Sequence, residues 1–384
     1  MKSFLALFVL LCAVVHLGAA DSVLAPSNIP NAEYPCIGSD LSVTFRLKAA
    51  DTKQVRLEGG AGLVKEPITM TRGDDGVWTV TTPPAVPGFH YYWFNVDGVR
   101  VNDAASYSYF GYGRETSGIE IPETGVDFYH AKDVPHGDVR AHWYFSKITG
   151  KWRRAFVYTP PDYDKSTRTR YPVLYLQHGA GENECGWIDQ GRANFILDNL
   201  IAAKRARPMI VVVDTGYATA ANSSSTTNQS GNNPMRGTAA FEEVMLKEII
   251  PTIEASYRTL VKRERRAMAG LSMGGMQTLN LTLRHLDQFA WIGGMSSPPR
   301  QGFDPATAYD GVFRDAAAFN KKVKLLWLGA GTAETRFHAS AVAMHEALDK
   351  LGIKNVFYSS PGTDHEWQTW RRSLYDFAPR LFQN

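Results

Sequence analysis

Residues Gly270-Leu271-Ser272-Met273-Gly274-Gly275 have the form G-x-S-x-G. An apolar run, Ala267-Met268-Ala269, precedes them and a helix-like segment, Met276 to His285, follows. That is the strand–turn–helix context in which a serine hydroxyl is presented as a nucleophile. Gly270 and Gly274 leave room for a backbone forced through a tight turn where a Cβ would clash. The turn lifts the Ser272 hydroxyl above a sheet and sets the next N–H groups at a helix N-terminus, facing any oxyanion that develops. The same string also describes a strand–helix junction around a buried serine, so the rest of the chain must supply the partners.

A serine needs a base to take its proton, and histidine titrates nearest neutrality. In the chain order Ser, acid, His both partners lie downstream. The strand-like run Val323–Leu328 ends in Gly329-Ala330-Gly331-Thr332-Ala333-Glu334, and a second, Asn355–Tyr358, ends in Pro361-Gly362-Thr363-Asp364-His365. A helical pattern, Phe337 to Leu351, separates the two. Ser272, Glu334 and His365 therefore all fall at the carboxyl ends of strands, the edge where open α/β sheets bind ligands. Glu334 is read as the carboxylate that orients the imidazole and stabilises its charged form. Asp364 is the rival acid, but a neighbour in sequence rarely folds back onto the adjacent ring, and an Asp there also suits a turn. His285, His338 and His345 sit in helical patterns. A further buried strand, Tyr171–Gln177, leads into His178-Gly179-Ala180-Gly181. The Ala180 N–H is the expected second oxyanion donor beside that of Met273. His178 is read as structural, holding the loop.

Stepping outward, residues 1–20 carry Lys2, an apolar stretch Phe4–Val15 and the small residues Gly18-Ala19-Ala20, the pattern of a secretory leader cleaved before Asp21. An exported, secreted chain is expected. Net charge is +3 over 384 residues with 44% hydrophobic residues, and the basic residues are spread along the chain, which gives no footing for nucleic-acid or membrane electrostatics. No later segment has the length of a membrane-spanning helix. Beyond the leader two cysteines remain, Cys36 and Cys185. In an exported chain an even pair is expected to form a disulfide, here one tying the two halves together, with two free thiols as the alternative.

Residues 21–125 read as an all-β sandwich: Leu41–Leu47 alternates with period two, Val77–Val80 and Tyr91–Val96 are β-rich, and Asp74-Asp75-Gly76, Pro87-Gly88 and Asp97-Gly98 mark turns. Gly111–Pro135 reads as a polar linker. In residues 126–384, strands (Arg154–Thr159, Pro172–Gln177, Met209–Asp214) alternate with helices (Arg192–Ala206, Phe241–Tyr257), which predicts an α/β domain built on a parallel sheet. Ala218–Gly237, rich in Asn, Ser and Thr, reads as a long surface loop. Sequons at Asn222, Asn228 and Asn280 are read as chance matches.

Together the elbow Gly270–Gly275, the loop Gln177–Gly181 with Trp187 and Gly191-Arg192, Gly331–Glu334 and His365 resemble carbohydrate esterase family one. Asp133–Gly137 followed by Val157–Pro161 is similar to its entry segment. Val43–Leu47, Gly76-Val77-Trp78 and Tyr92–Gly98 resemble a family 48 carbohydrate-binding module, here expected to act chiefly as a wall of the cleft. The resemblance implies an α/β-hydrolase fold preceded by a small immunoglobulin-like sandwich, no cofactor or metal, and a serine esterase acting on feruloylated or acetylated arabinoxylan. The expectation is a feruloyl esterase. Deacetylation of xylan, hydrolysis of a catechol siderophore ester, and glycan binding without catalysis are the alternatives. Trp187, Tyr217 and Trp367 are candidates for flanking an aromatic acyl group. The family's acid is usually Asp, whereas Glu334 holds the matching position.

Overall fold

A computed structural model describes residues 22–222, 238–297 and 303–383. The expected leader (1–20), its cleavage point, Asn228 and most of the Ala218–Gly237 loop lie outside the described residues. From residue 138 onward, strands β1 (Asp138–Ser146), β2 (Lys151–Thr159), β3 (Val173–Gln177), β4 (Ile210–Asp214), β5 (Arg266–Leu271), β6 (Trp291–Met295), β7 (Leu325–Gly331) and β8 (Val356–Ser360) form an eight-stranded sheet. Its order is β1-β2-β4-β3-β5-β6-β7-β8. β3 to β8 run parallel, and β1 and β2 are antiparallel at one edge. Every residue of β3, β4, β5 and β6 is buried. Near-continuous apolar strands of this kind are covered on both faces, as two large clusters demonstrate, one around Trp187, Leu176 and Phe377, the other around Tyr175, Met268 and Phe241.

The helices that bear on the site are α1 (Ala193–Ala202), α2 (Met273–Arg284), α3 (Thr335–Lys350) and α4 (Trp367–Phe377). α2 leaves the end of β5, α3 follows β7 and α4 follows β8. Four loops therefore open at one edge of the sheet, carrying the Gly179–Gly181 turn, Ser272, Glu334 and His365.

The N-terminal region consists of two antiparallel sheets. One has five strands and includes Cys36–Ile37, Val43–Lys48 and Val77–Thr81; the other has six and centres on Gly88–Val96, paired with Val55–Gly59 and Arg114–Ile121. Alternating residues from both, among them Val43, Phe45, Val55, Leu57, Tyr92, Phe94, Ile119 and Ile121, fill one fully buried core.

The six-stranded sheet packs against the α/β region. The guanidinium of Arg371, on α4, donates to both carboxylate oxygens of Glu120 (2.7 and 2.9 Å), donates through Nε to Gln190 O (2.8 Å), and lies over the Tyr129 ring. Gln190 in turn donates to Phe110 O and the Tyr91 hydroxyl, and Gly113 N–H donates to Gly181 O.

Two expectations need correction, and one strand was not anticipated. Gly111–Pro135 is not all linker, because Arg114–Ile121 is an interior strand of the six-stranded sheet. Its buried positions include Thr116, Ser117 and Gly118, so its polarity conceals its burial. β1 had no clear periodic signal because its outward residues are aromatic as well as charged. Cys36 and Cys185 are both free thiols. Cys36 lies in the five-stranded sheet, its thiol donating to Glu33 O (3.0 Å), while Cys185 sits in the loop after β3 and accepts from Arg154. The other sheet meets that loop, so the two regions are joined by Arg371 and its partners instead.

Removing one member of a buried ion pair leaves the other uncompensated, at a cost of about 3–5 kcal/mol. Arg371→Ala is expected to lower the urea midpoint of the full chain correspondingly. An unchanged midpoint would show that the Glu120 contact does not hold the two regions together.

Candidate active site

β5 delivers Ser272 into a backbone conformation with φ 50° and ψ −114°, outside the regions that most side chains tolerate. Crowding explains the surrounding glycines. A Cβ on Gly270 would stand 2.5 Å from the Gly274 carbonyl carbon, one on Gly274 would meet His178 O at 2.4 Å, and one on Gly275 would meet Ser297 Oγ at 2.2 Å. The Ser272 N–H donates to Met295 O (2.8 Å), which pins the turn to the end of β6.

The structure brings the three expected side chains together. The Ser272 hydroxyl donates to His365 Nε2 at 3.0 Å, and His365 Nδ1–H donates to Glu334 Oε1 at 2.6 Å. The second Glu334 oxygen accepts from Gly331 N–H (2.6 Å) and from the Ser296 hydroxyl (2.8 Å). Ser296 itself accepts from the Trp370 indole N–H at 3.1 Å. The carboxylate is thus fully buried yet held by three donors, which fixes the orientation of a side chain one methylene longer than Asp. The imidazole stacks on Phe337 (centroids 4.6 Å, 17°) and meets the edge of Trp370 at 5.1 Å. Asp364 instead accepts from the His365 backbone N–H and so stabilises the turn.

The loop expected to supply an oxyanion donor is held on both sides of Ala180. Gly179 N–H donates to Glu182 Oε2 (3.2 Å) and Gly181 N–H to the Tyr217 hydroxyl (2.8 Å). The Ala180 N–H lies between these two engaged groups, and that of Met273 opens helix α2, where the first N–H groups have no partner within the helix. His178 is buried, with Nδ1–H donating to Gly179 O and Nε2 accepting from Gly216 N–H. Burial pushes its pKa down to about 4, which suits a neutral structural ring.

A cavity of about 400 Å³ opens over Ser272 and His365. Trp367 and Trp370 line one side, and Phe89, His90, Tyr91 and Tyr112 of the N-terminal region line the other. Of the three aromatic candidates, only Trp367 faces this space. Trp187 is fully buried behind it, its indole N–H donating to Gln177 O, because the ring is needed to fill the core beneath the loop. Tyr217 faces a neighbouring groove and acts on the oxyanion loop through its hydroxyl.

Two carboxyl groups in the cavity wall escaped sequence reading. Glu182, pushed up to about 7 by burial, accepts from Gly179 N–H and from the Tyr91 hydroxyl (3.2 Å). Glu366, also raised to about 7 chiefly by burial, lies 3.6 Å from His90 Nδ1. Burial likewise lowers the His90 pKa, so both partners favour their neutral forms. Only a glycine at position 62 permits that approach: a Cβ there would come 2.4 Å from the His90 ring and 2.9 Å from Glu366. Nothing in the local sequence marks these residues, since Tyr91 and His90, the partners they meet across the cavity wall, lie in the other region of the chain. Ser296 was equally hidden, its one signal being a position at a strand end.

Comparison with known proteins identifies the family. The Esterase family model, described as "Putative esterase", matches residues 146–381. Over 373 residues the chain is 39% identical to an endo-1,4-beta-xylanase/feruloyl esterase of Xylanibacter ruminicola, the match taking in 94% of this chain and 48% of that protein. The chain spans about half the length, or less, of the curated relatives it matches. A CE1 ferulic acid esterase of Anaeromyces mucronatus, solved with ferulic acid, aligns over 67% of this chain and 96% of its own with a TM-score of 0.56 and 24% identity. The enterobactin esterase of Shigella flexneri aligns over 88% of this chain and 92% of its own with a TM-score of 0.63 and 17% identity. At these identities the two structures speak for the α/β-hydrolase-like fold. With the family model matching well over half of it, the chain belongs to the Esterase family and is a carboxylic ester hydrolase.

Proposed function

We propose that the chain is a feruloyl esterase, releasing hydroxycinnamic acids from esters on xylan-type polysaccharide through Ser272, His365 and Glu334. The observation that carries this reading is the identity with a xylanase/feruloyl esterase along nearly the whole chain. The aromatic-walled cavity supports it: about 400 Å³ far exceeds the needs of an acetyl group and suits a planar aromatic acid.

In this mechanism Ser272 Oγ attacks the ester carbonyl carbon while His365 Nε2 takes the hydroxyl proton. The carbonyl oxygen becomes an oxyanion, which accepts from the Ala180 and Met273 N–H groups. Each such donor contributes roughly 3 kcal/mol to lowering the barrier. Glu334 stabilises the imidazolium and keeps the neutral ring in its Nδ1–H tautomer. The C–O bond to the sugar then breaks, with His365 returning the proton to the departing sugar oxygen. Water, deprotonated by the same imidazole, next attacks the acyl-serine and releases the acid and Ser272.

The N-terminal region is read as an immunoglobulin-like sandwich of the family 48 binding-module type that serves as a wall of the cleft. Residues 1–20 are read as a leader removed after Ala20 during secretion. A second reading is hydrolysis of a catechol siderophore ester, favoured by the enterobactin esterase, which aligns with both regions of the chain.

Methyl ferulate, acetylated xylan and a catecholoyl-serine ester assayed side by side test these readings. Ferulate release at the highest kcat/KM is expected; release of acetate alone, or preference for the catechol ester, would overturn the feruloyl assignment. Ser272→Ala should abolish turnover and labelling by a fluorophosphonate. Glu334→Gln should lower kcat by about 10⁴-fold, and a loss of less than about tenfold would remove Glu334 from the proton relay.

Glu182 adds a pH dependence. Its pKa rises from 4.5 to about 7 on folding, so between those values the native chain holds a proton that the unfolded chain has released. Stability therefore falls as pH rises through that window, by up to roughly 3 kcal/mol for this group. Glu366 acts in the same direction. Glu182→Gln is expected to reduce the drop in urea midpoint between pH 5 and pH 8; an undiminished drop would show that Glu182 is not its source.

A further inference from the structure

The β1–β2 hairpin carries aromatic surface that neither the core nor the proton relay uses. Register pairs Trp143 with Arg154 and Phe145 with Trp152, so the pleat puts all four on one face. Trp143, Phe145 and Trp152 are 58%, 51% and 66% exposed. The opposite face is locked: Arg153 and the Tyr144 hydroxyl both donate to the buried Asp214 (2.9 and 3.0 Å), and Arg153 Nε donates to the Tyr144 hydroxyl. The exposed rings thus project from a rigid support. Beside them runs a groove of about 510 Å³, whose wall continues through Thr149, Thr215 and Thr219.

We propose that this groove is a second sugar-binding surface, one that holds the main chain of the polysaccharide while its ester reaches Ser272. The proposal rests on the polysaccharide-ester reading above. Flat indole faces suit the C–H faces of pyranose rings, whereas hydroxyl, carboxylate and guanidinium groups alongside suit their hydroxyls. The polar lining is poor ground for an apolar protein partner, and its mixed charge is poor ground for a polyanion. Two residues of the groove also touch the loop that borders Ser272. Arg154 donates to Glu184 Oε1 (2.9 Å), four residues beyond Ala180, and Tyr217 both lines the groove and holds Gly181 N–H. A chain lying across the indoles is led directly to the oxyanion loop.

The test uses the full chain carrying Trp143→Ala and Trp152→Ala together, exposed positions where folding is not at stake. Activity is read on methyl ferulate and on feruloylated arabinoxylan. Retardation in gels containing de-esterified arabinoxylan is read in a Ser272→Ala background. The double variant is expected to keep kcat/KM on methyl ferulate within about twofold, to raise KM on the polymer by about fivefold or more, and to lose retardation. Unchanged KM and retardation, or equal losses on both substrates, would overturn the proposal. So would a dimer that the substitutions convert to monomer with retardation intact, since the face would then be a contact between copies. Should the wild type leave methyl ferulate untouched, the acyl assignment fails, and the retardation result still decides the groove.

Discussion

The turn at Ser272 is the constraint on which the rest of the site depends. Holding a serine at φ 50° costs on the order of 1–3 kcal/mol and persists only because its surroundings leave no alternative. Those surroundings are three glycines packed against the backbone of the oxyanion loop and against Ser297, together with the hydrogen bond from Ser272 N–H to Met295 O. One geometry thereby serves two purposes: it aims the hydroxyl at His365 and leaves the Met273 N–H free at the start of a helix. Any relaxation of the turn would spoil both at once.

A second layer of order surrounds the proton relay. Glu334, Ser296 and Trp370 form a hydrogen-bonded chain in which the indole fixes the serine, the serine fixes the carboxylate, and the carboxylate fixes the imidazole. The length of the glutamate side chain is accommodated because its second oxygen bonds back to Gly331 in its own loop. The oxyanion loop is braced from the other side through Glu182 and Tyr91, so the two halves of the chain share the task of keeping the amides in place.

The residues of the candidate triad were legible because the chemistry proposed for them forces local sequence signatures. A strained elbow demands glycines, and partners at strand ends demand apolar runs before loops. That logic located Ser272, Glu334, His365 and the Ala180 loop. What stayed hidden depends on contacts between distant segments. The strand Arg114–Ile121 buries small polar residues and so resembles a linker. Trp187 and Trp367 have the same composition signal and both are buried, yet only Trp367 lines the cavity. Glu182, Glu366 and Ser296 each have a decisive partner more than thirty residues away, Tyr91, His90 and Glu334 respectively, besides any local contact. Cysteine pairing failed for the same reason, since parity in a sequence says nothing of which sheet faces which loop.

Helix α4 begins with Trp367 against the cavity, continues through Trp370 beside His365, and one turn from its start plants Arg371 on Glu120 of the neighbouring β region. A single rigid rod therefore registers the N-terminal sheets and the His365 imidazole simultaneously. Such an arrangement makes the β region a poor candidate for modular exchange: transplanting a homologous module with a different docking angle would tilt the rod and mistune the imidazole.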